Sequence, residues 1–209
     1  MASSKTHTPR QIARRDAVLR AVRDHLEEYG FDGLTIRDVA QTAHVSPSTL
    51  YEIYGSKESL IWTAVKENLR GLAIEEEKYE LGLERFVRRL ESIARIFEAT
   101  PKTAEALTRL FFEGGKDSPA NPVFLANAIE ARRASLQEMI DARQLKKDLD
   151  LDFYSRALIS VTWGTALFWL KGLIARNRFR AELTRSSLSL VLSELEPKIR
   201  RRAQEIIQE

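Results

Sequence analysis

The chain has 209 residues and a mass of 23.9 kDa, and its 44% hydrophobic content can fill one large core or a small domain joined to a larger one. It has no cysteine, which excludes a disulfide framework and thiolate metal sites, and with no basic-then-apolar leader the expected location is the cytoplasm. Its 33 basic and 30 acidic residues leave a net charge of +3 and a pI near 9.2, too mild an excess to imply nucleic acid unless its placement does.

The placement is uneven. Lys5, Arg10, Arg14, Arg15, Arg20 and Arg23 face Asp16 alone at the N-terminal end, a basic arm that suits phosphate binding or simply solvation. A first helix is predicted from about Pro9 to Tyr29, with Val18, Val22, Leu26 and Tyr29 on one stripe and Gly30 in the left-handed terminating position. Thr35-Ile36-Arg37-Asp38 fits a capping box, with the Asp38 carboxylate reaching back to the Thr35 amide. Ile36, Val39, Ala40 and Ala43 then form one apolar face of a two-turn helix ending near His44. Ser46-Pro47 opens a second short helix, since serine caps the first amides and proline has none to leave unpaired.

So tight a turn makes the two helices cross steeply, the geometry of a helix-turn-helix whose second helix enters the DNA major groove. Leu50 and Tyr54, four apart, anchor that helix inward, which leaves Pro47, Ser48, Thr49, Tyr51 and Glu52 for the outward side. Ser56 and Glu58 open the next helix and put Lys57 at the mouth of the supposed groove.

Longer helices are predicted near 57–79, 83–99, 102–114, 120–144, 151–175 and 181–207, with Pro197 kinking or ending the last. No run alternates with period two, so the fold class is all-α, a head of short helices over residues 1–56 joined to a helical body over 57–209. Ala157 to Leu170 is the most apolar stretch, yet it is shorter than the about 20 residues a membrane span needs, and no membrane partner is expected. Phe153, Ala157, Leu158, Val161, Trp163, Ala166, Leu167, Phe168, Trp169 and Leu170 cover more than one face, so this helix needs two burying surfaces, the second plausibly another copy of the chain.

Catalytic chemistry has no candidates. His7, His25 and His44 lack metal-ligand spacing, and there is neither a glycine-rich phosphate loop nor a G-x-S-x-G elbow. Glu75-Glu76-Glu77 point different ways on a helix, and Asp148, Asp150 and Asp152 sit at a charged loop. No enzyme activity, metal or cofactor is expected; the competing classes are a DNA-binding regulator and an all-α adaptor or ligand-binding protein without sequence-specific DNA binding.

The stretch "GFDGLTIRDVAQTAHVSPSTLYEIYGSKESL", Gly30 to Leu60, resembles the DNA-binding domain of the tetracycline-repressor (TetR) family of bacterial transcriptional regulators. The likeness rests on a glycine and an aromatic closing the first helix, Thr-x-Arg-x-x-Ala, Val-Ser-x-x-Thr-Leu-Tyr and Ser-Lys-Glu-x-Leu. It implies that Thr35, Arg37, Ser46, Pro47, Ser48, Thr49 and Tyr51 face DNA, that Lys57 binds a phosphate, and that Arg10 or Arg14 adds backbone contacts. Leu50 and Tyr54 would be core. His44 stands where the family's turn has glycine, Ser48 where glycine is common, and Ile53 where histidine or an aromatic is frequent.

The resemblance further implies a homodimeric repressor joined through its last two helices, here Gly164, Phe168, Leu188, Leu192 and Leu195, acting on a palindromic double-stranded operator. It also implies release by a small effector of unknown identity. Phe86, Leu90, Ile93, Phe97, Phe111, Phe112, Phe124, Asn127, Trp163 and Leu167 are the candidate lining, suited to a lipophilic or aromatic molecule.

Overall fold

The computed structural model describes residues 8–76, 79–113 and 120–208, with the side chains of 68–76, 113 and 120–124 left undescribed. Among these residues the chain folds as ten α-helices with no strand, joined by short turns: α1 (Pro9–Gly33), α2 (Ile36–Thr42), α3 (Pro47–Tyr54), α4 (Lys57–Glu76), α5 (Leu83–Ala99), α6 (Pro101–Glu113), α7 (Ala120–Asp141), α8 (Leu151–Leu170), α9 (Phe179–Val191) and α10 (Pro197–Gln208). The last expected helix is therefore two. A 3₁₀ turn over Leu192–Glu194 ends the first part, and Pro197, which has no amide to donate, takes the opening position of α10.

α1 starts at a capping box: the Gln11 amide donates to Thr8 Oγ1 (3.3 Å) and the Thr8 amide to Gln11 Oε1 (2.8 Å). Gly30, at φ +71°, breaks the helical geometry where the sequence places the stop, and a further short turn leads to the buried Leu34. The inward stripe is Val18, Val22 and Leu26. Tyr29 is not part of it, being 53% exposed with its ring 5.5 Å from that of His25.

α1 packs on α4 and on α6; α8 packs against α7 and α9, and α5 lies against α9. Arg15 Nη2 meets Glu67 Oε1 at 2.9 Å and Arg23 Nη1 donates to the Ala64 carbonyl, so two of the arm's cations serve the α1–α4 contact. At the far end, Leu145 and Leu195 form an isolated antiparallel bridge, and Gln144 Oε1 accepts from the amide of Leu83 (2.7 Å), closing the start of α5.

The body's centre is aromatic. Trp163 on α8 stacks on Phe111 of α6 (4.9 Å) and lies 5.8 Å from Phe97 of α5 and 6.5 Å from Trp62 of α4. Phe97 continues to Phe179, which stacks on Trp169 at 4.8 Å. One ring system thus touches α4, α5, α6, α8 and α9, and each ring buries the large apolar area that makes such contacts stabilising.

Candidate nucleic-acid interface

Thr35 caps α2: its Oγ1 accepts from the Asp38 amide (3.2 Å) and donates to Asp38 Oδ2 (2.6 Å). The Asp38 carboxylate therefore takes the hydroxyl rather than the Thr35 amide of the expected reciprocal box. Ile36, Val39, Ala40 and Ala43 are buried, and Arg37 is exposed between them. α2 stops at His44, whose φ of +51° lets the Val45 amide reach back to the Ala40 carbonyl (2.9 Å). The left-handed turn expected from the position is thus made by a histidine.

Ser46 Oγ accepts from the Thr49 amide (3.2 Å) and lies within hydrogen-bond distance of the Ser48 and Thr49 hydroxyls (2.9 and 2.7 Å). Its hydroxyl is committed to the cap, which fixes the first turn of α3. Leu50 is 1% exposed and holds α3 to the head's core, with Tyr54 half-buried beside it. Pro47, Ser48, Tyr51, Glu52 and Ile53 lie outward, Thr49 partly so, and Tyr51 and Ile53 are 54% and 64% exposed. Two large, largely apolar side chains thus stand exposed on one short helix.

Gly55, at φ +77°, ends α3, and the Ser56 hydroxyl accepts from the Ser59 amide (3.1 Å) to begin α4. Lys57 is not extended into solvent. Its Nζ donates to the Phe31 carbonyl (2.5 Å) and sits 4.5 Å from the centroid of the Phe31 ring, and burial pushes its ammonium below the usual lysine range. On α1, Arg10 and Arg14 are exposed on the arm's described part, while Lys5 lies outside the described residues. His25 Nε2, 2.9 Å from Thr42 Oγ1, ties α1 to α2.

The body residues divide. Phe86, Leu90, Phe97 and Trp163 are buried, Ile93, Phe111 and Leu167 partly so, and Phe97, Phe111 and Trp163 are brought into contact. Phe112 is 52% exposed, because successive helical residues point about 100° apart and only Phe111 can face Trp163. Asn127 is exposed as well, half a turn round α7 from the buried Leu136; the Phe124 side chain lies outside the described residues.

The proposed dimer set divides likewise. Leu188 and Leu195 are 0% and 1% exposed, spent inside the protomer with Leu183, Val191 and the Leu145 bridge, and so offer no surface to a second chain. Leu190 and Leu192 are the partly exposed leucines there. On α8, by contrast, Phe153, Ala157, Val161, Gly164 and Phe168 form a stripe that is at least partly exposed. A Cβ added at Gly164 would meet nothing within 4 Å in the protomer.

The comparisons bear on this head directly. The family model for bacterial regulatory proteins of the TetR family matches residues 18–62, which span most of α1, all of α2 and α3, and the start of α4. The head therefore matches the TetR family. The HTH-type transcriptional repressor KstR2 of Mycolicibacterium smegmatis is 26% identical over 176 residues, covering 78% of this chain and 83% of that protein. The HTH-type transcriptional regulator UidR of Escherichia coli is 25% identical over 154 residues, 72% of this chain and 78% of UidR.

Among solved structures, the TetR regulator TylP of Streptomyces fradiae matches with a TM-score of 0.68 at 21% identity, over 95% of this chain and 96% of that one. FadR of Thermus thermophilus, a TetR-family transcriptional repressor solved with lauroyl-CoA, matches at 0.67 and 21% identity, over 85% and 93%. These structures share the fold of head and body. The curated relatives are named as transcriptional regulators of helix-turn-helix type, which supports a TetR-family transcriptional regulator rather than an enzyme. Among the described residues no helix is long and apolar enough to cross a membrane.

Proposed function

We propose that this regulator is a homodimeric repressor that reads a palindromic operator with α3 and is released by a small lipophilic or aromatic effector bound in the body, all in the cytoplasm. The observation that carries the DNA reading is the division of α3, in which Leu50 is buried while Ser48, Tyr51 and Ile53 stand outward from a first turn fixed by Ser46 and Pro47. Thr35 and Arg37 at the start of α2 flank that face. The head covers residues 1–56 and the body 57–209, with α4 common to both because its first turn carries Lys57 and its later turns carry Trp62.

The exposed α8 stripe around Gly164 supports a second copy as its cover: a glycine with open space above it admits close approach of another helix. A two-fold dimer presents two α3 helices to half-sites about one helical turn apart, roughly 34–36 Å. For the effector, the Phe97, Phe111 and Trp163 cluster touches both α4 and α6, the elements that pack on α1. A ligand that favours a different packing of these rings shifts the head through them, and operator weakens the ligand by the same factor.

A fluorescence-anisotropy titration on the DNA flanking the protein's own coding region tests this reading. A preference for one native site over random duplex, falling steeply with salt, is the expected result. Equal affinity for native and random duplex sinks the operator reading. Acyl-CoA esters and planar aromatics are the first effector candidates for thermal-shift screening, with loss of the DNA complex as the deciding readout.

A further inference from the structure

Phe31, at the corner between α1 and α2, is where three helices exchange charge. Arg109 of α6 places its Cζ 5.0 Å from the Phe31 ring centroid, and its Nη1 lies 2.9 Å from both carboxylate oxygens of Asp32. Lys57 of α4 reaches the same ring at 4.5 Å and the Phe31 carbonyl at 2.5 Å. Two cations share one ring, and they are kept there by the neighbouring carboxylate and carbonyl.

Asp32 is 83% exposed at its side chain, so its ion pair alone holds little. What gives the cluster consequence is geometry. An ammonium has three protons, of which the Phe31 carbonyl takes one, leaving the others for a phosphate while the flexible stem of Lys57 is pinned. The face on which it is pinned is fixed in turn by a residue of the body. Close by, Lys102 Nζ donates to the Glu28 carbonyl (2.5 Å), so the end of α1 is gripped by α6 on consecutive turns.

We propose that Phe31 and Arg109 are positioning residues for the phosphate-binding ammonium of Lys57, so that the placing of α6 sets how ready Lys57 is for DNA. The inference rests on the DNA-binding reading of Lys57 given above. It assigns to Arg109, in the body, a role in DNA affinity that needs no contact with DNA.

The test is a double-mutant cycle on the full-length protein, with affinity and its salt slope measured on a native flanking duplex and on a random one. Phosphate contact is independent of sequence, so the random duplex reports Lys57 even if operator preference fails. Lys57→Ala is expected to lower affinity roughly five- to thirtyfold and to reduce the salt slope by about one unit. Arg109→Ala is expected to reproduce about a third or more of that loss and part of the slope change, yet to cost less than about twofold in the Lys57→Ala background. Arg109→Lys, which keeps a cation for the ring and for Asp32, restores most of the loss. Phe31→Leu, which keeps the apolar bulk and removes the ring, behaves like Arg109→Ala.

Additive losses from Arg109→Ala and Lys57→Ala overturn the proposal, since they mean that Arg109 acts on its own. So does an Arg109→Ala variant with unchanged affinity and slope. Arg202→Ala, which removes an exposed ion pair with Glu84, should change neither quantity. Binding without preference between the two duplexes, with the cycle non-additive, sinks the operator reading and leaves the positioning role standing; no binding to either duplex overturns both.

Discussion

The Glu27 carboxylate on α1 caps α6 from outside: its Oε2 accepts from both the amide and the hydroxyl of Thr103, each at 3.2 Å. The Thr103 amide lies in the first turn of α6, where backbone donors have no partner within the helix and a negative charge is favoured. Glu27→Ala is therefore expected to cost about 1 kcal/mol and to lower the melting temperature by roughly 2–4 °C, with Glu27→Gln retaining about half the difference. An unchanged melt for Glu27→Ala would mean that water replaces the cap at no cost.

Gly82 stands at φ +101°, and a Cβ there would lie 2.3 Å from Gln144 Oε1, the atom that accepts from the Leu83 amide. Gly82→Ala must strain the backbone and push the Gln144 amide off its donor, for about 2 kcal/mol in all. Gln144→Ala alone removes only the hydrogen bond, about 1 kcal/mol. Urea denaturation of both single variants and the double should be less than additive, and full additivity would place the two effects in separate structures.

His44 makes a left-handed turn at φ +51° with a side chain that glycine would spare it. His44→Gly should leave stability unchanged or slightly raised, whereas His44→Val, branched at Cβ, should fall about 1–2 kcal/mol below the glycine variant. Equal stability of the glycine and valine variants would show that the turn relaxes. Because the turn sets α3 against α2, anisotropy titrations of the same pair report whether it also sets affinity.

Phe168→Glu places a charge in the middle of the exposed α8 stripe. If that stripe is the dimer face, each copy loses about 2 kcal/mol, and a two-fold interface that meets the change twice weakens roughly a thousandfold. Sedimentation should then find monomer at micromolar concentration, with far-ultraviolet circular dichroism preserved. A variant that sediments like the parent removes α8 from the interface.

The Glu194 carboxyl is held below the ordinary carboxylate range, chiefly by the Ser193 hydroxyl (2.8 Å) and then by Lys146 (3.1 Å). A lowered folded pKa adds stability above the unfolded value, and that contribution disappears as pH falls through the folded one. Parent and Glu194→Gln should thus differ most at neutral pH, converge below about pH 4, and coincide in stronger acid. A gap at pH 3 as wide as that at pH 7 would assign the effect to packing rather than to charge.

Much of the head is written locally. Thr35, Ser46-Pro47, Ser56 and Gly30 act as caps and stops where the sequence puts them, because a cap needs only its own next three residues. Thr8-x-x-Gln11, the capping box of α1, is an equally local signal. Leu50 inward and Tyr51 outward follow from helical spacing. The body is less legible: spacing identifies α9 as amphipathic, yet whether Leu188 or Leu190 faces inward depends on which neighbours cover it. The adjacent Phe111 and Phe112 could not be told apart without the position of Trp163.

By itself the sequence determined the all-α class, the order of the helices, the punctuation of the head and the family pattern, since these depend on contacts within a few residues along the chain. Only the tertiary structure decided that Lys57 rests on Phe31, that Glu27 caps a helix 76 positions away and that Arg109 reaches the same corner. Such pairs carry no local signature. A carboxylate or guanidinium reads the same on a solvated face as in a cluster, and packing alone fixes which of them meet.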